Sequence, residues 1–325
     1  MKILITGGLG YIGSNIVLQL LKKKNEIIVL DNLSNSSEVV VNNINKLCKK
    51  KFIFIRVDCK NQKKIYYIFN KYKPDLVIHL AGVKSVTDSL KYPKFYYKEN
   101  VTSSFVILSA MKKYNINKII FSSSATVYGK PKYLPLDEKH PLNPETPYGH
   151  NKLTIENKIN QICKLKKDWS AICLRYFNPV GTDNSGLLKD NPLKPTNLFP
   201  KINHYFLGKT KFLPIYGKNY KTKDGTAVRD YIHILDLVAS HNASIKYLQK
   251  NKGFNVFNVG TGRGLSVLKI IKTYEKINKI KIETIIKKRR PGDVSTVYAN
   301  VKKIKNFIGW SSKYKINHMC EIKNK

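Results

Sequence analysis

The sequence predicts an α/β protein: a doubly wound parallel sheet with a smaller C-terminal α/β domain. Two observations support this prediction. Short, almost wholly apolar runs alternate with amphipathic segments through the first half of the 325-residue chain, as expected for strands buried on both faces between helices. A glycine-rich turn also joins the first apolar run to the first helical segment. We place the two domains at residues 1–177 and 178–325.

The predicted elements follow from the period of the apolar residues. Predicted strands lie at residues 2–6, 26–31, 52–57, 76–80, 118–122 and 171–176. Helices are predicted over residues 11–23 and 95–114, where apolar side chains recur every three or four positions. Three prolines within residues 181–200 indicate a long ordered loop. Beyond it we expect a strand at 253–259, a helix at 266–276 and a strand at 281–286.

The composition is strongly basic, with 59 Lys and Arg against 21 Asp and Glu and a formal net charge of +38. Only six of the 59 basic residues are Arg. A nucleic-acid-binding surface favours Arg, because guanidinium contacts phosphate and base edges with two donors at once. We therefore expect a solvated lysine surface, shaped by drift in an AT-rich genome, and no nucleic-acid partner. A non-catalytic RNA-binding protein remains the alternative from another class.

Other patterns restrict the compartment and the kind of site. Apolar runs fall far short of the roughly 20 residues that span a bilayer, and glycine interrupts the N-terminal segment before a signal-peptide core of about seven apolar residues forms. We expect a cytoplasmic protein without a membrane partner. The five cysteines include no C-x-x-C pair, so neither a disulfide framework nor a metal site is predicted.

Gly7, Gly10 and Gly13 follow the first strand with G-x-x-G-x-x-G spacing. Such a turn lets the backbone approach a pyrophosphate, and the helix that begins there offers amide donors, as in Rossmann-type dinucleotide sites. Asp31 ends the second strand eighteen residues after Gly13. A carboxylate there accepts hydrogen bonds from a ribose diol and repels a 2′-phosphate, which favours NAD over NADP.

Further residues are candidates for contacting the dinucleotide. Asp58 follows the third strand and is a candidate for the adenine amino group, although an ordinary strand-end turn explains it equally well. Lys84 follows the fourth strand and is a candidate for the phosphates, with chance placement as its alternative in so lysine-rich a chain. The predicted set is completed by Tyr11, Ile12, Asn32, Asn35, Asn100 and Lys152.

Tyr148 and Lys152 are four residues apart, on one face of a helix for which Thr146 and Pro147 provide an N-cap and a first-turn proline. A tyrosine that acts as a base near pH 7 needs its pKa lowered by about three units. A neighbouring ammonium and a cationic nicotinamide both favour that shift. Ser124, at the end of the fifth strand, is placed to hydrogen-bond the reacting oxygen.

Together these motifs resemble the extended short-chain dehydrogenase/reductases and, among them, the UDP-glucose 4-epimerases. The resemblance runs from residue 1 to about residue 310. Besides the glycine turn, it rests on residues 121–129, 148–152, 174–181, 224–233 and 289–293. It implies NAD as cofactor and a UDP-sugar substrate. The residues implied to hold the UDP-sugar are Ser124, Tyr148, Asn178, Asn197, Arg229, Arg290, Asp293 and Val297.

The reaction that this resemblance implies is the interconversion of UDP-galactose and UDP-glucose through a 4-keto sugar, with Tyr148, Lys152 and Ser124 as the catalytic residues. A 4,6-dehydratase is disfavoured, because Ala125 and Thr126 stand where dehydratases carry Asp and Glu. A Tyr at the position of Val297 restricts the sugar pocket in this family. Valine is smaller than Tyr, so activity on UDP-N-acetylhexosamines is expected as well. The resemblance also implies a homodimer built from the helices at 95–114 and 148–163.

Two alternatives remain open for the implied UDP contacts. Arg229 and Asp230 would also be explained as a surface ion pair. Arg290 would also be explained as the solvated end of a basic run that starts at Lys287.

Overall fold

A computed structural model describes residues 1–190, 192 and 195–322. The strands are β1 (Lys2–Thr6), β2 (Glu26–Asp31), β3 (Ile53–Arg56), β4 (Leu76–His79), β5 (Lys118–Ser124), β6 (Ser170–Tyr176), β7 (Asn178–Val180), β8 (Leu213–Tyr216), β9 (Val228–Arg229), β10 (Tyr231–His233), β11 (Gly253–Val259), β12 (Leu265–Ser266), β13 (Thr284–Lys287) and β14 (Thr296–Val297). The helices are α1 (Tyr11–Lys22), α2 (Val39–Leu47), α3 (Gln62–Tyr72), α4 (Val86–Lys91), α5 (Pro93–Tyr97), α6 (Ser103–Lys113), α7 (Pro147–Leu165), α8 (Leu198–Phe206), α9 (Ile234–Lys250), α10 (Val267–Asn278), α11 (Lys302–Ile308) and α12 (Ile316–Met319).

Seven strands form one parallel sheet in the order β11-β6-β5-β4-β1-β2-β3. The predicted fold class is confirmed, because this is the Rossmann order with one strand added beside β6. The added strand β11 comes from the second half of the chain and pairs with β6 along its whole length, from Gly253 opposite Ser170 to Val259 opposite Tyr176.

Both faces of the sheet are covered by helices. On one face Ile3 and Ile5 pack with Ile16 of α1 and Leu237 of α9 in a fully buried cluster. On the other face, side chains of α3, α6 and α7 cover the sheet. Burial on both sides explains why the strand sequences are apolar throughout rather than alternating.

A crevice is expected where the strand order reverses, between the carboxyl ends of β1 and β4. Gly7 follows β1 there and touches the chain just beyond β4: an added Cβ at Gly7 would lie 2.8 Å from the Cα of Ala81. The glycine turn therefore sits at the floor of the crevice, which is where ligands bind in open α/β sheets.

The remaining strands form small sheets that pair β10 with β7, β13 with β8, and β9 with both β12 and β14. Their core includes Ile202, Ile215, Tyr231 and Ile270. This smaller unit meets the main sheet beside the glycine turn, since the hydroxyl of Tyr11 donates to the Gly181 carbonyl oxygen at 2.8 Å.

Two local predictions need correction. The helix predicted over 95–114 runs from Pro93 to Lys113 and contains a π-helical turn at Lys98–Thr102, between α5 and α6, which the apolar pattern does not reveal because the turn is defined by main-chain hydrogen bonds. The strand predicted at 281–286 begins only at Thr284. Within the loop at 181–200, residues 191, 193 and 194 lie outside the described residues, and Thr182 pairs with Lys189.

None of the described helices combines the length and the apolar character needed to cross a membrane. The five cysteines carry free thiols. Among residues 1–190, 192 and 195–322, no three His, Cys, Asp or Glu side chains converge in a way that would hold a metal ion.

Candidate active site

The glycine turn leaves room for a ligand at one position only. A Cβ at Gly13 would lie 2.2 Å from the Gly7 carbonyl oxygen, and Gly7 itself has φ +66°, so both glycines are required by the fold. A Cβ at Gly10 meets only that same oxygen, at 3.4 Å. Gly10 is also the N-cap of α1 and provides no side-chain cap. The start of α1, with Tyr11 and Ile12, therefore suits a pyrophosphate, which its amides and dipole would stabilise.

Asp31 shapes the wall beside this turn. It is buried, and its Oδ2 accepts a hydrogen bond from the Leu9 amide at 3.0 Å. Its Oδ1 accepts from the Leu33 amide at 2.9 Å and from the Ser36 hydroxyl at 2.8 Å. The carboxylate is thus fixed at the carboxyl end of β2, the position from which a ribose diol is recognised.

Asp58 lies at the neighbouring strand end and is more open. Lys60 Nζ lies 3.0 Å from its Oδ2, and the Lys60 amide donates to Oδ1 at 2.8 Å. Partial burial raises the pKa of Asp58, but the hydrogen bonds from Lys60 and a weaker one from Asn32 outweigh it and leave that pKa below its usual value. Asn35 is exposed on the loop after β2.

The opposite wall is formed by the chain after β4. Asn100, in the π-helical turn, is buried, and its side chain binds the amide and the carbonyl of Val83 at 2.8 and 3.1 Å. Lys84 Nζ lies 3.0 Å from Asp190 Oδ1 and 5.9 Å from the centre of the Tyr11 ring. Lys84 therefore stands beside the start of α1, where a carboxylate pairs with it.

Tyr148, Lys152 and Ser124 meet at the carboxyl end of β5. Thr146 caps α7 by accepting from the Gly149 amide at 3.3 Å, and Pro147 occupies the first turn, as predicted. Lys152 is buried; its ammonium donates to the Ser122 carbonyl oxygen at 2.7 Å and lies 5.7 Å from the centre of the Tyr148 ring.

The electrostatic environment of Tyr148 in the protein alone opposes ionisation of the phenol. Burial raises the pKa of Tyr148 to about 12, and only its hydrogen bond with Ser124 acts in the other direction. Burial also lowers the pKa of Lys152 to about 8. Burial disfavours both charges, so the pKa of the phenol stays high in the protein without a cationic nicotinamide, the second of the two positive groups expected to lower it.

Arg229 and Asp293 form an ion pair in the smaller unit. Arg229 Nη2 donates to Asp293 Oδ1, and its guanidinium also donates to the carbonyl oxygens of Val228 at 2.7 Å and Val294 at 2.6 Å. The alternative of a pair with Asp230 is wrong, since Asp230 is fully buried and accepts hydrogen bonds from the backbone of residues 261, 262 and 299.

Arg290 is half-buried and not a solvated end of the basic run. Its guanidinium carbon lies 4.0 Å from the centre of the Tyr216 ring, and its Nη2 donates to the Thr196 carbonyl oxygen at 2.7 Å. The turn that follows reaches the catalytic helix, because a Cβ at Gly292 would lie 3.8 Å from the Thr146 methyl group.

The other predicted substrate residues lie on small strands and at a helix start in the second half of the chain. Val297 stands opposite Arg229 in the register of β14 and β9, and it packs against the buried cluster that contains Tyr128. Asn178 begins β7, beside Tyr231. Asn197 is the N-cap of α8, but its exposed side chain does not cap the helix.

Sequence reasoning missed several buried polar residues around the site. Glu156 and Arg175 form an ion pair beneath Lys152, and Asn258 accepts from the Tyr128 hydroxyl at 2.6 Å. Tyr216 and Tyr220 support Arg290 and Asp293. A signal was available for Glu156 only, because it continues the four-residue spacing from Tyr148 through Lys152.

A Rossmann-type sheet whose glycine turn faces a Tyr-x-x-x-Lys helix defines the class of the short-chain dehydrogenase/reductases. Comparison with known proteins is more specific. Residues 4–322 match the family model described as GDP-mannose 4,6 dehydratase. UDP-glucose 4-epimerase from Bacillus subtilis is 40% identical, with 98% of this chain and 95% of the relative covered.

Solved structures agree with this. UDP-glucose 4-epimerase from Bifidobacterium longum, determined in complex with NAD+ and UDP, has a TM-score of 0.95 and 41% identity over 98% of this chain and 96% of that one. The UDP-Glc/GlcNAc 4-epimerase from Campylobacter jejuni has a TM-score of 0.85 and 34% identity over the same shares. The chain belongs to the UDP-glucose 4-epimerase family, and the resemblance seen in its motifs is confirmed.

Proposed function

We propose that this protein is a UDP-glucose 4-epimerase, an isomerase that interconverts UDP-galactose and UDP-glucose with tightly bound NAD. The observation that carries this proposal is the meeting of Tyr148, Ser124 and Lys152 at the carboxyl end of β5, in the sheet whose β1 leads into the glycine turn. Relatives with this function cover nearly the whole chain.

The residues around the crevice fit NAD. The glycine turn and the start of α1 would hold the pyrophosphate, Asp31 the adenosine ribose and Asp58 the adenine, with Asn32 and Asn35 nearby. Lys84 and Asn100 would line the other wall, and Lys152 would serve the nicotinamide end. Bound NAD supplies a reversible hydride acceptor and a positive charge near the phenol. That charge would add to the charge of Lys152 and oppose the burial that raises the pKa of Tyr148 to about 12.

The chain's own residues then handle the proton and the position of the sugar. Tyr148 removes the proton of the sugar 4-hydroxyl and later returns a proton to the same oxygen, so it ends the cycle unchanged. The Ser124 hydroxyl hydrogen-bonds that oxygen, and Lys152 keeps a positive charge beneath the phenol. Between the two proton transfers the 4-keto sugar must present its other face while the nucleotide stays in place.

The UDP portion is held by the smaller unit. Arg229 and Arg290 are the guanidinium groups that would contact the diphosphate, which they match in charge. Asp293 would accept the uridine ribose diol, and Asn178 and Asn197 would add amide contacts. Val297 leaves space beside the sugar, so we expect turnover of UDP-N-acetylglucosamine as well; a relative named for both sugars shares 34% identity with this chain.

The test begins with the purified protein. After denaturation, absorbance and mass measurements are expected to find about one NAD released from each chain. A coupled assay is expected to show conversion of UDP-galactose to UDP-glucose, and Tyr148→Phe should retain NAD while its turnover falls by at least about 10²-fold. A wild-type protein that neither contains NAD nor turns over UDP-galactose after NAD is added would contradict the proposal. Formation of a 4-keto-6-deoxy sugar would instead identify a dehydratase.

The partners and the location are also proposals. We infer a cytoplasmic homodimer without nucleic-acid or membrane partners, in which the helices at residues 95–114 and 148–163 pair across the interface. Phe95 and Tyr97 are about half exposed, at 52% and 51%, which supports a covered face there. Light scattering should give twice the chain mass, and Phe95→Asp should give monomers. Gel-shift assays with RNA and DNA at physiological salt should show no complex.

A further inference from the structure

A buried ion pair lies beneath the catalytic residues. Glu156 in α7 and Arg175 in β6 each have side chains only 3% exposed. Arg175 Nε donates to Glu156 Oε1 at 3.0 Å, and its Nη2 donates to Oε2 at 2.6 Å. A buried pair is often no more stable than an apolar pair of the same size. Its retention next to an active site therefore invites a functional explanation.

The pair connects the helix and the strand that carry the catalytic groups. Glu156 lies one helical turn beyond Lys152 and two beyond Tyr148, on the same face of α7. Its Oε1 also accepts a hydrogen bond from the hydroxyl of Ser123, the residue before Ser124 in β5. One carboxylate thus contacts both elements that must keep the serine and the phenol together.

Arg175 extends the network to the turn after β5. Its guanidinium carbon lies 4.8 Å from the centre of the Tyr128 ring, in the 3-10 turn (Ala125–Tyr128) for which Ser124 is the N-cap. The Tyr128 hydroxyl is fixed in turn by Asn258 Oδ1 at 2.6 Å. The turn that orients Ser124 is therefore held from beneath by the ion pair.

The charges around Lys152 can be counted among the described residues. Four titratable groups face Lys152: Tyr148 and Glu156 from α7, Cys173 from β6 and His79 from β4. Arg175 of β6 also acts on it, through its ion pair with Glu156. Burial lowers the pKa of His79 to about 3 and raises that of Cys173 well above its usual value, so both are neutral. Within this described set, Glu156 is the single negative charge at neutral pH.

We propose that Glu156 and Arg175 are a positioning pair for the reaction: Glu156 keeps Lys152 protonated, Arg175 limits that effect, and together they hold the Ser124 turn against Tyr148. This inference rests on the proposed epimerase function. It predicts that the two members of the pair act in opposite directions on the charge of Lys152, although both stabilise the same fold.

The test compares Glu156→Gln with Arg175→Gln in the pH dependence of kcat/KM for UDP-galactose. Activity that needs a protonated Lys152 falls as the pH rises through the pKa of Lys152. Glu156→Gln leaves Arg175 unopposed, so this alkaline limb should move down by about one pH unit. Arg175→Gln leaves Glu156 unopposed, so the limb should move up, by roughly half a unit or more.

Both variants lose buried hydrogen bonds and are expected to melt earlier than the wild type. The double variant Glu156→Gln/Arg175→Gln removes both charges together, and its limb should lie between those of Glu156→Gln and the wild type. If a single variant does not fold, the double variant still tests the proposal, because its alkaline limb can be compared with that of the wild type. Limbs that stay at the wild-type pH, or that move in the same direction in both single variants, would show a merely structural pair. Absence of turnover in the wild type would instead overturn the epimerase function, and this inference with it.

Discussion

The ammonium nitrogen of Lys152 lies 5.7 Å from the centre of the Tyr148 ring, one helical turn away on the same face of α7. Its hydrogen bond goes to a main-chain carbonyl and not to the phenol. Lys152 therefore acts on the phenol through the electrostatic field of its charge. Because burial raises the pKa of Tyr148, that field is insufficient without a second positive charge from the cofactor.

Replacing the base tests this arrangement most directly. Tyr148→Phe removes the group that takes the proton of the sugar 4-hydroxyl, so kcat should fall by about 10²- to 10⁴-fold. The half-buried ring remains, so the melting temperature and the NAD content should stay close to those of the wild type. Tyr67→Phe, at an exposed tyrosine of α3, is the matched control and should keep full activity. Wild-type turnover in Tyr148→Phe would remove the phenol from the mechanism.

The two glycines at the start of α1 should respond differently to the same change. Gly13→Ala forces a Cβ to within 2.2 Å of a carbonyl oxygen and should lower the free energy of unfolding by about 2 kcal/mol or more. Gly10→Ala meets no such contact, since its nearest neighbour is at 3.4 Å, so it should fold normally. It should nevertheless release NAD more readily, because the new methyl group occupies space needed by the pyrophosphate. Thermal melts and NAD content measure both effects; full NAD retention in a folded Gly10→Ala protein would argue against this site.

Arg290 should contribute to affinity for UDP through the geometry of its guanidinium. Arg290→Lys keeps the charge but loses the stacking on Tyr216 and the paired donors, so the Kd for UDP measured by calorimetry should rise about tenfold or more. Arg263→Lys, at an exposed arginine in the loop after β11, is the control and should change the Kd less than about twofold. Equal effects of the two substitutions would place the diphosphate elsewhere.

The pKa of Lys152 also predicts a pH-dependent stability. Burial lowers it to about 8 in the folded protein, whereas an unfolded lysine keeps its proton to a pH of about 10.4. Between these two pH values Lys152 binds more protons in the unfolded chain than in the folded protein. The contribution of Lys152 to the free energy of unfolding therefore rises with pH. The difference between wild type and Lys152→Met, measured by urea denaturation, should therefore increase by about 2 kcal/mol from pH 7.5 to 10. A flat or decreasing difference would mean that Lys152 is not the buried cation described here.

Val297 should set the size of sugar that the site accepts. Val297→Tyr fills the space beside Arg229, so turnover of UDP-N-acetylglucosamine should fall by at least about tenfold while UDP-galactose turnover changes little. Val297→Ala, which enlarges the same space, should retain both activities. If the wild type turns over UDP-galactose well and UDP-N-acetylglucosamine not at all, the assignment of Val297 is wrong.

Much of the site follows from local sequence patterns. The glycine spacing after β1, Asp31 at the end of β2, and the capped helix that carries Tyr148 and Lys152 all lie where the sequence predicts them. The π-helical turn within the helix at 95–114 was not predicted, because it is defined by the spacing of main-chain hydrogen bonds rather than by residue type. The rise in the Tyr148 pKa that burial causes in the protein alone was not predictable, because the extent of burial is not visible in the sequence.

The sequence by itself determined the order of strands and helices, the phosphate-binding turn and the spacing of the catalytic pair, since these depend on neighbours a few residues apart. Tertiary structure decided which distant groups meet: Glu156 with Arg175, Arg229 with Asp293, and β11 with β6. Such contacts depend on how the elements pack, and in a chain with 53 lysines the composition does not distinguish a paired charge from a solvated one. Burial makes that distinction, because removing a charge from water is costly unless a partner is present.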